Sequence, residues 1–197
     1  MRSVRVVGVA FLGAALVVSG CGRRVDVPPR VTVSSQAQTC MARAMYFESN
    51  RSSRDGMVAV GSVVMNRVAS SDFPNEVCAV VSQPRQFAPG VMSKAMREGA
   101  PRAMAMELAA SVLAGERHPQ IARARFFHQK DYRFPYRNMH YVVTAGGNAF
   151  YEKRRPELVT QPVPLPETEG VTGGFVGVAE EEAPARRPGF LARLFGA

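Results

Sequence analysis

The sequence predicts an α+β fold: a small, mainly helical domain with a short β-hairpin or small sheet towards its end. Three observations carry this prediction. Apolar residues recur at three- and four-residue steps between residues 37 and 68, two more helical segments follow, and the runs "RARFFH" and "HYVVTAGGNAFY" come last. The flanks lack such periods, so residues 1–36 read as signal and tether and residues 156–197 as a disordered tail.

The chain opens "MRSVRVVGVAFLGAALVVSGCGRR", with two arginines, an apolar run from Val6 to Val18, and small residues ending at Cys21. This is the layout of an export signal over residues 1–20, and the run is too short to span a bilayer comfortably. The four residues Val18-Ser19-Gly20-Cys21 resemble a bacterial lipoprotein box, which implies acylation of Cys21. With Gly22 rather than aspartate following, that resemblance implies delivery to the outer membrane, on its periplasmic side. An ordinary cleaved signal and a retained anchor are the alternatives. Each buried acyl CH₂ contributes about 0.8 kcal/mol, so multiple acylation would hold the chain firmly on a membrane. Residues 21–36, with prolines, charges and no period, read as the tether.

Within the predicted domain, residues 37–155, the first helix places Ala37, Cys40, Met41, Ala44 and Met45 on one face. Ser52, Ser53 and Asp55 offer N-caps for a second helix through Val68, apolar nearly all round and therefore central. "FPNEVCAVVSQ" predicts a short third helix and "PRAMAMELAASVLAGE" a fourth ending at Gly115. The strands close the domain around a turn.

Charge is unevenly spread. Residues 37–155 hold 17 Lys or Arg against 9 Asp or Glu, a balance of +8, and residues 156–197 hold 3 against 6. In an exported protein such a core points not to nucleic acid but to envelope polyanions: lipopolysaccharide, anionic lipid or peptidoglycan. Excess arginine that only maintains solubility is the plainer alternative.

Of three cysteines, removal of Cys21 leaves Cys40 and Cys78, an even number in an exported chain, and a disulfide is the natural reading. Closing a loop of about 40 residues would contribute about 3 to 4 kcal/mol. A Cys-His nucleophilic site using His128 or His140 is the rival, and it would leave an exported thiol reactive. His118, His128 and His140 show no zinc-ligand spacing, and neither metal nor cofactor is expected.

Glu48 continues the apolar face of the first helix, four residues beyond Ala44 and three beyond Met45. Desolvation there would disfavour the charged form and suit the carboxyl to donating a proton. An outward-facing Glu48, paired with Arg51 or capping the next helix, is equally compatible with the periodicity.

The segments "ARAMYFESN", "DGMVAVGSVVMNRV" and "FPNEVCAVVSQPRQF" resemble the signature of the cell-wall hydrolase family named for the spore-cortex-lytic, or SleB-like, enzyme. "RARFFHQKDY" and "GGNAFY" occupy the places of two further family segments, so the resemblance runs over about residues 38–152. It implies a lysozyme-like domain that cleaves the MurNAc-GlcNAc bond of peptidoglycan glycan strands, as a lytic transglycosylase or muramidase, with Glu48 as the acid. It further implies Tyr46, Asn66, Gln86, Phe87, His128 and Tyr151 as substrate-contacting positions.

Four departures fall in the cleft-lining half: Asn148 and Phe126 stand where the family has histidines, the aromatic usual just after "QF" is absent, and the chain has no tryptophan. They keep open a degenerate, peptidoglycan-binding lipoprotein. An N-acetylmuramoyl-L-alanine amidase is the third reading.

Overall fold

The computed structural model describes residues 34–173. Cys21, with the expected signal and most of the tether, and the tail beyond residue 173 lie outside the described residues. Four helices, α1 (Ser35–Glu48), α2 (Arg54–Val68), α3 (Val77–Val81) and α4 (Gly99–Leu113), precede three strands, β1 (Phe126–Gln129), β2 (Met139–Ala145) and β3 (Asn148–Lys153). The expected α+β class and its helix-then-strand order are observed.

Helix α1 starts two residues earlier than the apolar period indicates, because the Ser34 hydroxyl accepts the Ala37 N–H and so caps the first turn. Its buried face is Cys40, Met41, Ala44 and Met45, joined by Ala42 and Tyr46. Ser53 caps α2, accepting the Gly56 N–H at 2.9 Å, and Asp55 sits in the first turn where the helix dipole favours negative charge. Met57, Val58, Ala59, Val60, Val63 and Val64 are fully buried, which makes α2 the central helix as its composition required. The disulfide Cys40–Cys78 is present, Cα to Cα 5.2 Å, and ties α1 to α3. The cysteine-histidine alternative is thereby overturned, since neither thiol is free.

The sheet has the order β1-β3-β2 and is antiparallel throughout. Strands β2 and β3 are joined through Gly146 and Gly147, whose φ angles of 56° and 82° suit the tight hairpin turn that needs two left-handed residues. A register shift between Tyr141 and Val143 turns β2 over. Val143 and Ala145 therefore join Phe150 in the helical core, whereas Met139 and Tyr141 cluster with Ala149 on the other face.

The hairpin turn meets the start of α2 at almost backbone-to-backbone distance. A Cβ on Gly56 would lie 2.5 Å from the Gly146 Cα and would also strike the Ser49 hydroxyl. Glycine at 56 is thus required for the end of α1, the start of α2 and the turn to converge.

The expected disorder from residue 156 is corrected as far as residue 173. Pro156–Leu158 form a 3₁₀ turn, and the chain then runs back along β2: the Tyr141 N–H donates to the Gln161 carbonyl at 2.9 Å, and the Thr168 N–H to the Thr144 carbonyl at 2.8 Å. Three carboxylates fasten this strap. Asp55 accepts the Val171 and Thr172 N–H groups at 2.9 and 2.8 Å and the Thr172 hydroxyl; Glu169 accepts the Ser53 hydroxyl; Glu167 pairs with Lys130 and accepts the Gly147 N–H at 2.6 Å. Polar anchors of this kind leave no apolar period in the sequence.

Candidate active site

Glu48 is the last residue of α1 and is half-buried. Its backbone carbonyl accepts the Asn148 side-chain amide at 2.6 Å, and the next loop is held by the Asn50 N–H, which donates to the Gly146 carbonyl at 2.9 Å. The backbone that carries the carboxyl is therefore held by the hairpin. One of its oxygens accepts the Ala88 N–H.

A cleft of about 430 Å³ opens at this point, lined by Phe47, Glu48 and Asn50 on one side and by Gln129, Lys130, Asp131, Gly146, Gly147 and Asn148 on the other. A larger cavity of about 980 Å³ lies elsewhere, lined by Asn66, Asp72, Arg123, Arg125, Phe126, Glu152, Lys153 and Arg154. Its carboxylates are committed: Asp72 pairs with Arg125 at 2.7 Å and Glu152 with Arg154 at 2.9 Å. The smaller cleft holds the group suited to proton transfer, and chemistry outranks size here.

Burial raises the Glu48 pKa above its ordinary value, against smaller opposing effects of the Ala88 N–H and the Arg67 guanidinium. Arg67 is 3% exposed, held by its Nε donating to the Arg125 carbonyl at 2.8 Å and by the Phe73 and Phe87 rings, each 5.2 Å away. Burial brings its pKa down to about 10, with Glu48 and Tyr151 acting in the opposite direction, so it remains a cation at neutral pH. Glu48 is thus biased towards the acid form, and its anion, once formed, has an N–H donor and a fixed positive charge nearby.

A sequence profile described as Cell Wall Hydrolase matches residues 51–151. The chain belongs to this cell wall hydrolase family. The spore cortex-lytic enzyme of Bacillus cereus is 49% identical over 47 residues, 24% of this chain and 18% of that protein. That of Oceanobacillus iheyensis is 43% identical over 47 residues, 24% and 17% respectively. The chain thus matches less than a fifth of the length of these curated relatives. Among solved structures, the catalytic domain of the germination-specific lytic transglycosylase SleB from Bacillus anthracis matches with TM-score 0.51 and 27% identity, over 64% of this chain and 100% of that one. The catalytic domain of the Bacillus cereus SleB protein gives 0.51 and 29%, over 66% and 99%. The profile match begins three residues after Glu48 and ends before the strap.

In this cell wall hydrolase the other sequence-derived positions scatter. Tyr46 is 2% exposed: it packs in the core, its hydroxyl accepting the Glu98 N–H at 3.2 Å with Arg51 over its ring. Phe87 is buried between Arg67 and Phe127, whereas Gln86 beside it is exposed. The Asn66 amide donates to the Ala122 and Ala124 carbonyls at 3.1 and 2.9 Å, holding a turn in which Ala122 has a left-handed φ of 45°. It lines the larger cavity and not the Glu48 cleft. His128 bonds through Nε2 to the Tyr141 hydroxyl and through Nδ1 to the Gln129 carbonyl, both at 2.8 Å, and its ring lies 5.8 Å from that of Tyr151.

Of the acids eligible as a second carboxylate, Asp131 alone lines the Glu48 cleft; Asp55 is buried under the strap and Asp72 is paired with Arg125. The cleft residues that sequence reasoning missed are Ser49, Asn50, Gln129, Lys130, Gly146 and Gly147, together with Asn148, visible beforehand only as a departure from the family pattern. The sequence placed Gly146, Gly147 and Asn148 among short strands around a turn without showing that the turn faces α1.

Proposed function

We propose that this cell wall hydrolase cleaves the MurNAc-GlcNAc bond of peptidoglycan glycan strands as a lytic transglycosylase, with Glu48 as the catalytic acid. The observation that carries the reading is Glu48 in the wall of the cleft, with a carboxyl whose proton affinity burial raises. Its proton passes to the glycosidic oxygen as the bond from C1 breaks. The muramic acid's 6-hydroxyl then attacks C1 and returns its proton to the Glu48 carboxylate, leaving a 1,6-anhydro end and regenerating the acid. One carboxylate suffices for this cycle, whereas hydrolysis usually takes two. Asp131 in the same cleft favours a second reading, muramidase activity with Asp131 directing a water to C1. Mass spectrometry of digested sacculi decides: anhydro-muramic ends are expected, reducing ends would transfer the assignment to hydrolysis, and intact muropeptides would sink both.

The same reading anchors the chain to the periplasmic face of the outer membrane through an acylated Cys21. Cys21→Ser is expected to move the protein from the membrane to the soluble fraction. Incorporation of labelled palmitate into that variant at the parental level would remove the lipid anchor from the proposal.

A further inference from the structure

The segment joining β1 to β2 carries three large aromatic side chains that the cleavage reading does not use. Residues 132–136, "YRFPY", form no regular structure and include Pro135, which fixes its own φ. Alternate side chains of an extended segment share a face. Tyr132, Phe134 and Tyr136 follow that pattern: ring centroids are 6.4 and 5.9 Å apart and successive planes lie 20° and 12° from parallel. These separations match the rise of roughly 6.6 Å over two extended residues, so the ladder follows directly from the backbone.

The row of rings is open to solvent. The three side chains are 59%, 43% and 66% exposed, a contiguous aromatic patch of the kind that marks an interaction surface. The loop is nevertheless tethered: the Tyr132 N–H donates to the Gln129 carbonyl at 3.0 Å, and Arg133 donates to the Lys130 and Tyr132 carbonyls at 2.7 and 3.1 Å. Phe134 also meets the His128 ring edge-on at 4.9 Å. Gln129, Lys130 and Asp131, immediately before the ladder, line the cleft that contains Glu48.

We propose that Tyr132, Phe134 and Tyr136 form a stacking platform that holds the peptidoglycan glycan strand where it leaves the Glu48 cleft. The inference rests on the glycan-cleaving reading and names a binding surface beyond its reacting centre. A pyranose presents a flat face of C–H groups, and a row of near-parallel rings offers that face successive apolar surfaces independent of sugar identity. Continuity with the cleft favours a glycan strand over a lipid surface or a second copy of the chain.

The test uses the full chain carrying Glu48→Gln, so that sacculi stay intact, with and without Tyr132→Ser, Phe134→Ser and Tyr136→Ser together. Co-sedimentation with sacculi is expected to weaken about 10- to 100-fold when the rings are removed. In the Glu48-containing background, the same three changes should depress turnover of sacculi in step with binding and leave turnover of a soluble tetrasaccharide muropeptide within about twofold. Unchanged sacculus binding overturns the platform. So does loss confined to anionic phospholipid vesicles, which would make the ladder a membrane contact, or confined to self-association in sedimentation velocity. If the parent cleaves neither substrate, the cleavage reading fails while the binding comparison still decides the platform. Tyr132→Ser and Tyr136→Ser, at the two most exposed rings, provide single variants should the triple change not fold.

Discussion

Glu48→Gln is expected to lower turnover of sacculi by about 10² to 10⁴-fold while leaving the folded domain intact. The amide keeps the shape of the side chain and its carbonyl still accepts the Ala88 N–H, but it has no transferable proton. Arg51, which sequence alone offered as a partner for Glu48, pairs instead with Glu98, so no ion pair to Arg51 is lost. The sign of the stability change is also set. A carboxyl whose pKa is raised on folding contributes stability that is present below its unfolded value, about 4.5, and is lost as pH rises through the folded one. The net shift is upward even with Arg67 nearby, so ionised Glu48 is a cost at neutral pH that glutamine removes. Thermal melts from pH 4 to 8 should therefore show the variant gaining on the parent as pH rises. Parental activity in the variant would remove Glu48 from the mechanism; a lower melting temperature with parental activity per folded molecule would make it structural.

Asp55→Ala should produce the largest stability loss, about 2 to 4 kcal/mol, because it strips three donors of one buried acceptor. Burial alone would raise the Asp55 pKa, but the bonds from Thr172 and Val171 outweigh it and bring it below the ordinary value. A depressed carboxylate stabilises the fold above its unfolded pKa, and that contribution disappears as pH falls through the folded one. The parent should accordingly loosen its strap in acid. Limited proteolysis reads this directly: cleavage between residues 159 and 173 is expected to accelerate in Asp55→Ala at neutral pH and in the parent at low pH. Equal protection of that segment in both proteins would show that the strap does not depend on Asp55.

Whatever depended on helical period or local capping was legible in the sequence: the buried face of α1, the Ser53 cap, the all-round burial of α2 and the two-glycine turn. Side-chain direction at the site was partly legible. Tyr46 and Glu48 are two residues apart, and on a helix that sets them about 200° apart, so when Glu48 faces the cleft Tyr46 faces the core. Phe47, between them, reaches the cleft wall. Asn66 lies away from the Glu48 cleft for a different reason. Its amide is used by carbonyls 56 and 58 residues further on, a pairing with no local signal. The strap escaped notice because a Pro-, Gly- and Glu-rich run has the composition of a disordered tail, and its anchors are backbone amides and carboxylates.

The strap also bears on the order in which the chain completes its fold. The bonds from Val171 and Thr172 to Asp55, and from Ser53 to Glu169, join residues 116 or 117 positions apart, from the second helix to the last described segment. Such long-range closures can form only after nearly the whole domain has emerged, and they come late because their loop entropy must be overcome first. The junction they secure is the one packed against the acid-bearing end of α1. A chain still being synthesised therefore has an unfinished cleft, and the surroundings of Glu48 are assembled last.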